Sequence, residues 1–291
     1  MEKHDWLAQA FEENRPHLQA VAYRLLGSLS EADDAVQEAW LRLSRSDMSE
    51  VSNLGGWLTT VVARISLNML RARKVRHEEP LEAAELEPGM REPEVTDPEQ
   101  EALLTDSVGL ALLVVLERLT PAERLAFVLH DIFALPFDEI APIVEREVAA
   151  TRQLASRARR QIRGEAKEAS ADLAARREVV DAFLAASREG SFDALLALLD
   201  PDIVYRADWA SGKSRVVRGA TAVVRQSRAF LRLARFAQPV LVNSTVGVVV
   251  APRGRLRYVA SIRITGGKIV QIHVMADPAV LRQLHLSVLS S

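Results

Sequence analysis

The sequence predicts two all-α domains, the second ending in a helix-turn-helix, followed by an α+β domain. Three observations predict it. Roughly the first 165 residues carry apolar stripes at helical spacing, and residues 137–163, FDEIAPIVEREVAATRQLASRARRQIR, read as two short helices about a tight turn. Beyond residue 170 helices give way to alternating strands separated by glycine and proline.

At 291 residues, 48% of them hydrophobic, the chain has room for two or three domains with real cores. No apolar run approaches the roughly 20 residues of a membrane helix. The start, MEKHDWLAQAFEENR, is acidic and amphipathic rather than a signal peptide, so a cytoplasmic protein is expected. With no cysteine there is no disulfide, thiolate metal site or cysteine nucleophile. The 6 histidines form no HxxxH pair, so neither a metal nor a cofactor is expected. A net charge of −2 hides strong segregation. Residues 1–172 hold 20 basic and 31 acidic side chains, net −11, and residues 173–291 hold 17 and 8, net +9. Charge divided this way points to contacts made by segments.

In chain order, Leu18, Val21, Ala22 and Leu25 form a periodic stripe, with Pro16 suited to a helix start and Gly27 to its end. Ser30 is then placed to cap a second helix, apolar at Ala32, Ala35, Val36, Ala39, Trp40 and Leu43. Its other side presents Asp33, Asp34, Gln37 and Glu38, which by composition alone is a solvated face. Gly55 and Gly56 mark a break before a third helix, apolar at Trp57, Leu58, Val61, Ile65 and Met69. Arg64, Asn68 and Arg71 form another stripe of that helix at i, i+4, i+7, and Arg73, Lys74 and Arg76 follow at its end. The helix dipole favours cations there in any case. A second basic helix roughly eighty residues later makes shared nucleic acid the simpler account of both.

Residues 78–105 read as an extended linker. From Glu78 to Glu101 there are ten acids against Arg91 alone, with Pro80, Pro88, Pro93 and Pro98 interspersed. Helices resume around Val108 to Leu116, and LTPAERLAFVLHD supplies a capped start with Thr120 as cap, Pro121 first in the helix and Glu123 closing the capping box. The first helix of the helix-turn-helix buries Ile140, Ala141 and Val144 behind a cap at Asp138; the second starts near Ala149 and turns Leu154, Ala155 and Ala158 inward. Arg152, Gln153, Ser156, Arg157 and Arg160 project elsewhere, as a helix laid in a major groove requires. Arginine bonds bidentately to guanine and glutamine to adenine, and further arginines neutralise phosphate. Glu145 occupies the turn position that favours glycine, and Pro142 removes a backbone donor from the first helix.

Past residue 170 the sequence predicts a helix from Ala174 to Glu189 ending at Gly190, a short helix over Phe192 to Leu199, and LDPDIVYRAD turning into a strand. A helical run over Ala220 to Leu233 follows, and then the alternating stretches QPVLVNSTVGVVVAP, RLRYVASIRIT and KIVQIHVMAD. Helices first and an antiparallel sheet afterwards describe an α+β cone.

The order of these parts resembles that of bacterial extracytoplasmic-function sigma factors. The resemblance rests on LSEADDAVQEAWLRL, GGWLTTVVARISLNMLRARK, the linker, LERLTPAERLAFVLHDIFALPFDEIAPIVE and the terminal basic helix. It implies a region 2-like domain at residues 1–77 that binds the largest-subunit clamp helices of core RNA polymerase through the face of Asp33, Asp34, Gln37 and Glu38. The same domain would melt and read the −10 promoter element with Trp57, Arg64, Asn68, Arg71, Arg73, Lys74 and Arg76. A region 4-like domain at residues 106–168 would read the −35 element with Arg152, Gln153, Ser156, Arg157 and Arg160. VLERL, AFVLHD and TRQLASRARR look similar to the subgroup with a SnoaL-like C-terminal domain, here residues 173–286. Two segments differ from that subgroup: DWASGKSR stands where it carries an acidic glycine-rich run, and DPAVL where it carries an NPDKL-like segment.

Some folds of that kind are small enzymes that use a pocket carboxylate, and the pocket candidates here are Tyr205, Asp208, His273 and Asp277. His273 reads as a hydrogen-bonded core histidine on the strand face of Ile269, Gln271 and Met275. The expectation is a promoter-specificity subunit with no catalysis of its own. Its basic C-terminal domain is expected to modulate it by contacting the helical domains or the acidic linker, with upstream DNA as the rival contact. The alternative is a helix-turn-helix regulator with a ligand-sensing domain and no sigma role, and a third reading is a SnoaL-type isomerase.

Overall fold

The computed structural model describes residues 2–46, 51, 53–75, 107–163, 170–210, 212–226 and 233–289. The acidic segment 78–105 lies outside them. The chain divides into two compact units: 1–78 with 116–160, and 79–115 with 161–291.

The first unit begins with α1 (Glu2–Leu26), α2 (Leu29–Arg45) and α3 (Leu54–Val75), which pack on one another. Pro16 does not start a helix; it lies inside α1. The buried stripe of Leu7, Phe11, Leu18, Val21 and Leu25 runs straight past it, so packing on both sides outweighs the one backbone bond that proline removes. Gly27 ends α1 at φ +73°, its amide bonded to the Tyr23 carbonyl at 2.8 Å. The cap of α2 is Ser28, not Ser30, its hydroxyl accepting the Glu31 amide. The glycine pair lies in the first turn of α3 rather than ahead of it. An added Cβ would come within 2.8 Å of Asn14 Oδ1 at Gly55 and within 2.7 Å of Asn53 Nδ2 at Gly56, while Asn53 Oδ1 accepts the Gly56 amide at 2.9 Å.

After α4 (Ser107–Leu116), α5 (Pro121–Phe127) opens with both bonds of the predicted Thr120–Glu123 capping box and widens into a π-helical turn over Val128–Ile132. The helix-turn-helix is α6 (Phe137–Val144) and α7 (Val148–Arg163). Its first cap is Pro136, whose carbonyl accepts from Glu139 and Ile140; Asp138 sits in the first turn, where the dipole favours it.

The second unit carries α8 (Ser170–Glu189), α9 (Phe192–Leu198), α10 (Ala220–Gln226), α11 (Pro278–Gln283) and one seven-stranded sheet in the order β2-β1-β6-β5-β4-β3-β7. The strands are β1 (Leu199–Asp208), β2 (Ser214–Arg218), β3 (Ala237–Val242), β4 (Thr245–Val250), β5 (Tyr258–Thr265), β6 (Lys268–Met275) and β7 (Leu286–Ser287). Pairing is antiparallel except between β1 and β6, which run parallel across the intervening chain. Val180, Phe183, Leu184 and Leu195 of α8 and α9 share a buried core with Ile203, Ala207, Val248, Ala260, Ile272 and Val274 of the sheet. This is the α+β arrangement the alternation predicts. The stretch QPVLVNSTVGVVVAP, however, is a hairpin: Asn243 and Ser244 both have positive φ, 49° and 70°, as a two-residue turn requires.

Gly247 of β4 faces the carbonyl of Ala260 so closely that an added Cβ would lie 2.6 Å from it and 2.7 Å from Val242 Cγ2. Gly247→Ala should therefore cost about 1–3 kcal/mol through forced backbone shifts, measured as a lower denaturant midpoint of the full chain.

Candidate nucleic-acid interface

Helix α7 has two chemically distinct sides. Thr151, Ala155, Ala158 and Ile162 are buried, whereas Arg152, Gln153, Ser156, Arg157 and Arg160 are all exposed. The turn before it closes through Glu145 in the left-handed region, φ 58° and ψ 47°, with the amides of Glu145 and Arg146 both bonded to the Ala141 carbonyl. Glycine is therefore not needed there, although a side chain in that conformation costs on the order of 1 kcal/mol. Pro142 leaves α6 intact to Val144.

Residues without a sequence signal fix α7 in place. His130 stacks on Phe137 with ring centroids 3.8 Å apart, and the Arg152 guanidinium lies 5.8 Å from the Phe137 centroid on a cation–π contact. Arg159 Nε donates to Asp131 Oδ1 at 2.6 Å, so this arginine ties α7 to the π turn. The arginine-rich composition alone does not separate Arg159 from its neighbours.

On α3, Arg64, Asn68 and Arg71 are exposed along one side. With Leu67 they line a cleft of about 260 Å³ whose opposite wall is Pro142, Ile143 and Glu145 of α6 and its turn. Arg71 Nη1 stands 3.8 Å from Glu145 Oε2. Trp57 is half-buried. Arg73 is occupied otherwise: it is half-buried, ion-paired with Glu31, and donates to the Leu26 carbonyl at 3.5 Å. The side chains of Lys74 and Arg76 lie outside the described residues.

On α2, Asp33, Asp34 and Gln37 are exposed and Glu38 is half-buried. Asp33 accepts from Gln19 Nε2 at 3.0 Å and Glu38 from Arg42 Nε at 2.9 Å. The four share one acidic, solvent-facing side.

Arg124 of α5 is the one buried cation of this unit among the described residues, 3% exposed. Its Nε and Nη2 donate to the Arg24 carbonyl at 3.4 and 3.3 Å, in the last turn of α1. Burial pushes its pKa down to about 10, opposed by the nearby carboxylates of Glu117 and Glu31.

In the second unit the four pocket candidates do not converge. Tyr205 packs against the core, where burial raises the pKa of its hydroxyl. Alternation then puts Arg206 and Asp208 on the other face of β1. There His273 Nε2 meets Asp208 Oδ2 at 2.6 Å, and Arg206 Nε bonds both carboxylate oxygens at 3.0 and 2.9 Å. His273 is thus not a core residue. Between the pairs Arg263–Gln271 and Ile264–Ile269 one residue of β6, Val270, is left over. This bulge turns Ile269 into the core while Gln271, His273 and Met275 face the opposite way. Asp277 accepts the Ala279 amide at 2.7 Å and caps α11.

Two segments match known families: sigma-70 region 2 over residues 10–76 and sigma-70 region 4 over residues 109–162. With an acidic helix face, a basic helix and a helix-turn-helix on the page, the class is that of promoter-reading transcription initiation factors. The probable ECF RNA polymerase sigma factor SigI of Mycobacterium tuberculosis (strain CDC 1551 / Oshkosh) is 37% identical over 288 residues, covering 98% of each chain. SigJ of M. tuberculosis (strain ATCC 25618 / H37Rv) is 37% identical over 285 residues, covering 92% of this chain and 91% of its own. The crystal structure of M. tuberculosis SigJ aligns over 94% of this chain and 97% of that one, at 34% identity and a TM-score of 0.46. The chain belongs to the extracytoplasmic-function family of RNA polymerase sigma factors, which direct promoter recognition and transcription initiation.

Burial works to raise the Asp208 pKa, but hydrogen bonds from His273 and Arg206 outweigh it and hold the carboxylate below its ordinary value. The stability these bonds contribute is present above the ordinary aspartate pKa and is lost as pH falls through the lowered one. His273→Phe should move the Asp208 midpoint upward, read by carboxyl carbon NMR during an acid titration.

Proposed function

We propose a residue-level division of labour for this sigma factor. The exposed side of α7 reads the −35 element: Arg152, Gln153, Ser156 and Arg157 reach base edges, and Arg160 neutralises phosphate. Arg64, Asn68 and Arg71, with Trp57 at the start of α3, serve the −10 element, where a melted strand offers bases for stacking. Asp33, Asp34, Gln37 and Glu38 hold the clamp helices of core polymerase. Bond-making belongs to the polymerase, and work beside it places the chain in the cytoplasm. The observation that carries the reading is the division of α7 into a buried face and an exposed face rich in arginine, with a second basic stripe exposed on α3.

The test is initiation by purified core polymerase on a promoter selected from a random-sequence pool. Arg152→Ala with Gln153→Ala should lose about 1–3 kcal/mol of discrimination at their own base pairs, while Arg160→Ala weakens binding evenly across sequences and lowers its salt dependence. Asp34→Arg with Gln37→Arg should abolish co-migration with core polymerase. A chain that starts RNA equally well with both sets of changes would contradict the assignment.

The second unit is assigned a modulating role, with the strongly basic residues 173–291 contacting the helical segments or the acidic linker. Exposed pairs contribute little each, so the effect should weaken as salt rises. Ending the chain at Ala171 should change both promoter affinity and initiation rate; if neither moves, this domain does not modulate.

A further inference from the structure

Two uncommon backbone features stand directly ahead of the helix-turn-helix. Val128–Ile132 widen into the π turn, where the Phe133 amide reaches back to the Val128 carbonyl at 3.2 Å. Ala134 then takes φ 56°, in the left-handed region that a residue with a Cβ seldom adopts. Both features are costly for a backbone, and both gather where a side chain has to be placed for function. Here they decide where the side chains of His130 and Asp131 go.

Reversal of the chain at Ala134 lets the Leu135 amide bond the Leu129 carbonyl at 2.9 Å, and the Leu135 carbonyl accept from His130 Nδ1 at 2.9 Å. The second bond fixes the imidazole tautomer. It also holds the ring against Phe137, with centroids 3.8 Å apart and planes 27° from parallel. Phe137, the first residue of α6, is half-buried and has the exposed Arg152 guanidinium 5.8 Å from its centroid. Asp131, the next residue of the π turn, accepts from Arg159 Nε at 2.6 Å. Two arginines of α7 are therefore treated differently by one turn. Arg159 is neutralised by a carboxylate, whereas Arg152 is held by a ring that leaves its charge and its N–H groups for DNA. Among the described residues no cation–π contact holds Arg157 or Arg160 in this way.

We propose that His130 and Phe137 are positioning residues for promoter selectivity, a stacked pair that presets the Arg152 guanidinium for bidentate bonding to a guanine edge of the −35 element. This rests on the base-reading role proposed above for Arg152. An arginine on a helix surface samples many rotamers, and freezing it on a base edge costs conformational entropy. A ring that already orients the guanidinium removes part of that cost. Only the matching base accepts both bonds from a fork so oriented, so the gain falls mainly on the correct pair. Loss of the ring then lowers discrimination at one base pair rather than affinity at all of them.

The test uses holoenzyme assembled from the full chain and core polymerase, with initiation measured on a selected promoter and on its single-base-pair variants across the −35 element. Arg152→Ala first marks the pair that this residue reads. Phe137→Leu should then lower discrimination at that pair about threefold, leave the pairs read by Gln153 and Arg157 unchanged, and add nothing in the Arg152→Ala background. Phe137→Tyr keeps the ring and should restore the wild-type value. His130→Gln keeps a donor for the Leu135 carbonyl but not the stack; it should lower discrimination at the same pair, and it serves as the test should Phe137→Leu fold poorly. Equal loss at every pair, an additive loss in the Arg152→Ala background, or full discrimination in both ring variants would overturn the proposal. An Arg152→Ala chain that keeps every base preference would overturn the base-reading role itself.

Discussion

A guanidinium cannot be buried without acceptors, and Arg124 finds them at the C-terminal end of α1. Backbone carbonyls there carry the negative end of the helix dipole, and Glu117 and Glu31 add negative charge nearby. Burial lowers its pKa, and the nearby charge of Arg73 works in the same direction. Such an interaction stabilises little against an apolar alternative, yet it specifies position, because few other placements of α5 would satisfy the same donors. Gly27 contributes to the fit: an added Cβ would stand 3.3 Å from Arg124 Nη2. Once α5 is placed, the capping box and the π turn fix the direction in which the chain continues, and α6 arrives beside α3.

Several arginines of this unit therefore sort into two groups by what surrounds them. Arg73, Arg124 and Arg159 meet Glu31, the Arg24 carbonyl and Asp131, and hold helices to one another. Arg152, Arg157 and Arg160 stand exposed on α7, and Arg64 and Arg71 on α3. Cations left without a tight partner remain available to phosphate and base edges. The cation–π contact of Arg152 with Phe137 fits this division, since it orients the side chain without neutralising its charge.

Much of the architecture was legible wherever one local rule dominated. The Thr120–Glu123 capping box, the Gly27 and Gly190 stops and the inward and outward faces of α7 all follow from short-range chemistry, and the structure repeats them. Errors arose where tertiary packing overrode a local signal. Pro16 reads as a helix start, but the apolar stripe on both of its sides carries α1 through it. His273 reads as a core residue because alternation counts every position equally, and the leftover Val270 cannot be seen in composition. The Asn243-Ser244 turn lacks the glycine that usually marks a two-residue hairpin. Which of several arginines would be spent on Asp131 or on a carbonyl 100 residues away had no sequence signal at all.

Direct measurement of the separation between α2 and α7 tests most sharply the placement of α5–α7 that Arg124 specifies. With one fluorophore on an exposed position of α2 and another on the exposed side of α7, energy transfer in single molecules should show one short separation for the isolated chain. An isolated chain showing a long or widely spread separation would contradict the account.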